Sequence, residues 1–132
     1  MVPLPVVLGL ALCDQVIVEQ GTRKVSLIGS FSGIKGRTFP FLARPFAVFA
    51  VLADADGEGE IELMVTRLES DQLVYRQRQW LRFPDRFVQM QVLFRIHECV
   101  FPDAGQYQFT LLLDGQWLTH RRIQVYSSEK QP

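Results

Sequence analysis

The sequence has little cysteine and histidine, and it has no net charge. Its 132 residues include two cysteines, Cys13 and Cys99, and two histidines. Two cysteines permit at most one disulfide, which excludes a disulfide scaffold. The 14 basic and 14 acidic side chains cancel, so no overall field attracts nucleic acid or an anionic membrane. We therefore expect neither of these as a partner.

A long apolar run is also missing, and we expect that the first residues are not a secretory leader. The stretch "LGLALCDQVIVEQG" (residues 8–21) ends an apolar segment that is far shorter than the ~20 residues needed to span a bilayer. No basic residue precedes Arg23, and bulky Leu12 precedes Cys13 where a lipoprotein processing site needs a small residue. We expect two buried strand pieces, residues 7–13 and 15–19, in a cytoplasmic protein with reduced cysteines. An exported or lipid-anchored protein is the alternative.

Helical periodicity is absent, and strand patterns take its place. Apolar residues make up 48% of the chain, enough for one core, but they do not recur at three- and four-residue spacing. Alternation is clearest over Val88–Ile96 and Tyr107–Leu113. Phe46–Ala53 is apolar almost throughout, as expected of a central strand covered on both faces. Residues 32–45, rich in Gly and Pro, are predicted to be a long connection. The fold class is therefore all-β.

The most specific local motif is "PDAGQYQF", residues 102–109. In immunoglobulin-like sandwiches, a tyrosine near the start of strand F folds its hydroxyl back onto upstream backbone. The spacing of Asp103, Gly105 and Tyr107 is typical of that corner, and Phe109 takes the place of the second core cysteine. We predict an immunoglobulin-like antiparallel β-sandwich of about seven to nine strands. Residues 1–126 form its single domain, and residues 127–132 form a flexible tail.

Three segments together resemble a known family. They are "LCDQVIVEQGTRKVSLIGSF", the dipeptide Phe39-Pro40, and "PDAGQYQFTLLLDGQWL". The chain is similar over nearly its whole length to a group of small bacterial proteins defined as a domain of unknown function. The resemblance implies a bacterial origin and a compact β-sandwich. It implies no activity, cofactor or catalytic residue.

Two groups of side chains are candidate metal ligands. The acidic segment "DADGEGE" places Asp54, Asp56 and Glu58 at calcium-loop spacing, but Val65 stands where a bidentate Glu is required. Its flanks are predicted strands, so an exposed acidic turn is the preferred interpretation. His97 and Cys99 lie two residues apart, which places them on one face of a strand, but zinc requires more ligands. A small metal-dependent enzyme using His97, His120 and the acidic turn is therefore only the alternative, and we expect no cofactor.

The remaining candidate site is the strand "YRQRQWLRF". Arginine and aromatic residues dominate protein-binding hot spots, and a sheet edge invites a partner or a second copy. Arg76 and Arg78 are also placed to pair with Glu60 and Glu62 on the preceding strand. We predict a non-catalytic protein-binding or assembly module, not an enzyme. Its candidate residues are Tyr75, Arg76, Arg78, Trp80 and Arg82, followed by Trp117, Arg121 and Arg122.

Overall fold

The structure, a computed structural model, describes residues 4–128 and places them in eleven β-strands. The strands are β1 (Val6–Val18), β2 (Val25–Ser30), β3 (Gly33–Gly36), β4 (Phe41–Leu42), β5 (Phe46–Ala53), β6 (Gly57–Arg67), β7 (Leu73–Phe83), β8 (Met90–Ile96), β9 (Val100–Phe101), β10 (Gly105–Leu113) and β11 (Gln116–Ser127). The all-β prediction is confirmed. Over residues 4–128, no helix is long and apolar enough to cross a membrane.

The strands form two main sheets and one short pair. The four-stranded sheet has the order β2-β1-β5-β8, the five-stranded sheet has the order β3-β11-β10-β6-β7, and β4 pairs with β9. Every pairing is antiparallel except that of β3 with β11, which is parallel. The chain therefore crosses between the sheets several times, which makes most neighbouring strands distant in sequence.

The N-terminal segment forms one long strand, so the prediction of two strand pieces is wrong. Residues Val6–Cys13 of β1 pair with β5, and residues Cys13–Val18 pair with β2. The change of partner at Cys13 keeps the backbone groups bonded along the whole segment. Most of β1 is exposed or half-buried: Leu12, Cys13 and Val16 are buried, and Val7 and Leu10 are half-buried against the main core.

Other sequence-based boundaries also change. The predicted connection over residues 32–45 contains the short strands β3 and β4, which raises the strand count above the predicted seven to nine. Val88 was predicted to begin a strand but lies in an exposed bend, and β8 begins only at Met90. Of the predicted tail, Ser127 ends β11 and the Ser128 amide donates to the Gly36 carbonyl at 2.9 Å. Residues 129–132 lie outside the described part of the chain.

The core lies between the inner faces of the two sheets. Alternate residues of β5, from Phe46 to Leu52, point into it and are buried. Phe46 meets Phe109 of β10 edge to face, with ring centroids 6.0 Å apart. On the other side of β5, Ala47 packs in a second small cluster with Cys13 and Val16. The prediction that β5 is a central strand with both faces covered is therefore confirmed, although Phe49 is only half-buried.

The predicted tyrosine corner is present. Tyr107 is fully buried, and its hydroxyl donates to the Asp103 carbonyl oxygen at 2.6 Å. Arg67 of β6 reaches the same bend and contacts the Asp103 carboxylate at 3.1 Å. Gly105 has a φ of +149°, and a Cβ atom there would lie 2.8 Å from Oε1 of Glu69. Glycine is favoured at this position because side-chain-bearing residues rarely adopt this φ, whereas the flexible Glu69 carboxylate can move away from a Cβ atom.

We predict that Tyr107→Phe destabilises the protein by about 0.5–1.5 kcal/mol, because the part-buried hydrogen bond to the Asp103 carbonyl is lost. Urea unfolding followed by circular dichroism measures the change. The control is Tyr126→Phe, since Tyr126 is only half-buried. Equal stability of Tyr107→Phe and the wild type would show that the corner hydrogen bond contributes nothing.

Candidate functional site

The predicted binding strand, β7, is an edge strand of the five-stranded sheet. Its outward side carries Arg76, Arg78, Trp80 and Arg82, which are all exposed. Tyr75 lies on the opposite side of the strand, half-buried, and its hydroxyl donates to Oε1 of Gln77 at 2.8 Å. Burial raises the pKa of Tyr75 above its usual value. Tyr75 therefore does not share a surface with the arginines.

Two of the arginines form ion pairs with the neighbouring strand, as the sequence predicts. Nε of Arg76 lies 2.8 Å from Oε2 of Glu62, and Nε of Arg78 lies 3.0 Å from the same atom. Arg78 also approaches Oε1 of Glu60 at 3.7 Å. Glu62 is largely buried beneath the two guanidinium groups. These ion pairs restrict the side chains of Arg76 and Arg78. The two side chains therefore lose less conformational entropy when a partner binds.

The predicted residues of β11 divide between the two sides of the same sheet. Trp117 is paired with Leu112 of β10, which places Trp117 on the outward side. Arg122 is on the same side, where its Nε donates to Oε1 of Gln108 at 3.2 Å. Arg121 instead lies opposite the buried Phe109 and donates from Nη1 to the Leu10 carbonyl oxygen of β1 at 2.8 Å. Arg121 therefore joins the two sheets and is not part of the outward surface.

Sheet order brings the outward residues of β7 and β11 onto one surface. Register places Arg78, Glu62, Leu112 and Trp117 in a single row across β7, β6, β10 and β11. Three strand spacings separate the ends of this row, which is roughly 14 Å. We call this surface the tryptophan face, and it comprises Arg76, Arg78, Trp80, Arg82, Glu60, Glu62, Met64, Leu112, Trp117, His120 and Arg122.

The tryptophan face leaves large aromatic side chains in solvent. Trp80 is 66% exposed and Trp117 is 55% exposed. The Trp117 ring lies 5.7 Å from the ring of His120, so a polar aromatic side chain supports it. Leu112 is half-buried on β10, between the strands that carry the two tryptophans, and Met64 is half-buried in the next row with Arg76. Sequence reasoning missed Met64 and Leu112, because only the strand order shows that β6 and β10 lie between the two predicted strands. His120 was predicted only as a metal ligand and not as part of a binding surface.

The predicted metal ligands do not converge. Asp54 and Asp56 are exposed in the turn between β5 and β6, and Glu58 is exposed at the start of β6. His97 follows β8 at the end of the β5–β8 pair that is opposite to the acidic turn, about 20 Å from that turn by strand rise. His120 lies on the tryptophan face. His97 and Cys99 occupy a turn and not a strand, contrary to the prediction. Within residues 4–128, no three His, Cys, Asp or Glu side chains are grouped as a metal site requires.

Both cysteines are free and buried. Cys99 lies in the main core, where burial raises the pKa of its thiol to about 12. Cys13 lies in the smaller cluster, and burial raises the pKa of that thiol as well. Because the thiolate is the reactive species, both side chains are poor nucleophiles in the folded protein.

We predict that neither thiol reacts with Ellman's reagent at about pH 8 while the chain is folded, because burial disfavours the thiolate. Absorbance at the usual thionitrobenzoate wavelength measures the reaction. In guanidinium chloride, both thiols should react, which provides the positive control. Rapid stoichiometric reaction of the folded protein would contradict the described burial.

Comparison with known proteins gives one family. A family model described as "Family of unknown function (DUF6941)" matches residues 8–126. No curated protein gives a significant match to the sequence. The match begins within β1 and ends within β11, so it spans both sheets and the whole tryptophan face. The predicted resemblance to a family defined as a domain of unknown function is confirmed.

Proposed function

The chain belongs to the DUF6941 family of unknown function, and we propose that it is a non-catalytic module that binds another protein through the tryptophan face. The observation that carries this proposal is the exposure of Trp80 and Trp117 on one flat surface with Arg76, Arg78 and Arg122. Tryptophan and arginine are the residues most enriched in binding hot spots. A partner that covers both tryptophans removes a large apolar area from water.

The shape and charge of the tryptophan face support a protein partner. The face is a sheet surface, wide enough to meet another folded surface, and it carries both arginines and glutamates. Aromatic residues and arginine are enriched in interfaces between proteins. The proposal of a non-catalytic role is supported by the burial of both thiols. Free, buried cysteines also agree with a cytoplasmic location.

We further propose that the sandwich is immunoglobulin-like. In that fold, strands A, B and E share one sheet, and strands C, F and G share the other. The order β1-β5-β8 corresponds to A, B and E, and the order β6-β10-β11 corresponds to C, F and G. The Phe46–Phe109 contact then stands where a disulfide joins strands B and F. An experimental structure with a different strand order would contradict this assignment.

Site-specific photo-crosslinking tests the proposed interface. We expect benzoylphenylalanine at position 80, and separately at position 117, to capture the same protein in cells of the source organism. With the probe at position 80, Trp117→Ala should reduce the adduct by about tenfold or more, because hot-spot residues cooperate across one interface. Mass spectrometry of the adduct identifies the partner.

Position 42 provides the matched control, because Leu42 is 58% exposed but lies outside the tryptophan face. A probe there should not capture the same protein, and Leu42→Ala should leave the adduct from position 80 unchanged. Thermal unfolding of each variant confirms that it is folded. Equal capture from positions 42, 80 and 117, or no adduct from positions 80 and 117, would refute the proposal.

A second candidate is self-association, which the edge strand β2 favours. The sequence of β2, "VSLIGS", has no charged residue, and Leu27 and Ile28 are exposed. Edge strands normally carry charges or proline that prevent pairing with another chain. Two copies of β7 would bring like-charged arginines together, which is unfavourable. If the chain forms a dimer through a sheet edge, β2 is therefore the edge that we propose.

For this second candidate, Ile28→Lys should convert a wild-type dimer into a monomer, because each copy would place a lysine in the shared strand pair. Sedimentation velocity over the micromolar range measures the oligomeric state. Leu73→Lys is the control, because Leu73 is similarly exposed but begins β7. A wild-type protein that is monomeric throughout, or a dimer that survives Ile28→Lys, would exclude β2 as the interface.

A further inference from the structure

A cavity of about 450 Å³ lies at a different place in the sandwich from the tryptophan face. Its walls come from β3, from the segment that contains β4, and from the start of β5. This volume lies within the usual range for small-molecule sites, which is about 300–1,000 Å³. Residues 32–45, which were predicted only as a connection, supply the whole lining except Asp14, Phe31 and Phe46.

The floor of the cavity is apolar and largely aromatic. Phe31, Ile34, Phe41 and Phe46 line it, and all four belong to the main core or pack against it. The rings of Phe31 and Phe46 meet edge to face at 5.7 Å, so the floor is fixed by packing. An apolar part of a ligand would be desolvated against these side chains, as in most preformed small-molecule sites.

The rim of the cavity is basic. Lys35, Arg37 and Arg44 line it, and the one acidic side chain in the lining is Asp14. Residues 31–46 contain these three bases and no acidic residue. Within the described residues 4–128, neither Arg37 nor Arg44 forms an ion pair or a hydrogen bond. This contrasts with Arg76 and Arg78, whose charges Glu62 neutralises.

We propose that this cavity binds a small anionic amphipath, a molecule with an aromatic or aliphatic body and a carboxylate, sulfonate or phosphate group. The body lies on the floor formed by Phe31, Phe41 and Phe46. The anionic group lies at the rim, where Arg37 and Arg44 donate hydrogen bonds to its oxygens. Guanidinium groups suit this role because they present several donors to an oxyanion at once. The site does not depend on the proposed protein-binding function of the tryptophan face.

A pair of fluorescent probes that differ by one charged group tests the proposal. 8-Anilinonaphthalene-1-sulfonate carries a sulfonate, and N-phenyl-1-naphthylamine has the same rings without it. We expect the folded protein to bind one sulfonate probe per chain. The double variant Arg37→Gln/Arg44→Gln should lower the affinity for the sulfonate probe by about fivefold or more, because two charge-assisted contacts are lost. The neutral probe should keep its affinity within a factor of about two, since the floor is unchanged.

The control is the double variant Arg86→Gln/Arg95→Gln, which removes two exposed arginines outside the cavity lining. It should leave the affinity for both probes unchanged. Amide chemical-shift changes caused by the sulfonate probe should be concentrated in residues 31–46. Unchanged sulfonate affinity in Arg37→Gln/Arg44→Gln would overturn the proposal. Equal weakening by the control variant, or shift changes centred elsewhere, would overturn it too.

Discussion

The packing of two inner sheet faces against each other is the constraint on which the structure depends. Phe46 of β5 and Phe109 of β10 meet across the sandwich and join the two sheets without a covalent bond. Once these strands are fixed face to face, alternation determines which residues of every paired strand point inward. The outward surfaces are therefore a consequence of the core, and a one-residue slip in β6 would bury Glu60 and Glu62 of the tryptophan face.

The tyrosine corner adds a directional restraint to this non-directional packing. Tyr107 fixes the bend before β10 through the Asp103 carbonyl, and Arg67 ties the same bend to the end of β6. Because β6 and β10 are neighbours in the five-stranded sheet, the corner sets their relative register. That register aligns Glu62 with Leu112 and so brings the arginines of β7 into line with Trp117 of β11. A buried hydroxyl at one end of the sheet thereby helps to arrange a surface some distance away.

Much of the fold follows from local sequence, but the sites do not. Alternation in residues 107–113 and the apolar run at 46–53 predict β10 and β5, because burial against one core imposes a period of two. The corner motif predicts the conformation of Tyr107. The short strands β3 and β4 were missed because they owe their existence to distant partners and have no periodicity of their own. The same reason hides the tryptophan face: alternation separates Tyr75 from Arg76 within β7, but only the strand order shows that the outward sides of β7 and β11 share one surface.

The parallel pairing of β3 with β11 has a mechanical consequence. Tension applied between the N-terminal and C-terminal sides of the domain pulls Gly33 and Ser127 in opposite directions along the strand axis. The register pairs from Gly33–Gln124 to Gly36–Ser127 are then loaded together, because the bonds of a parallel ladder lie across the direction of sliding. A hairpin pulled at its open end would separate one bond at a time. β11 is therefore held to β3 in a shear geometry, in which several hydrogen bonds must break together.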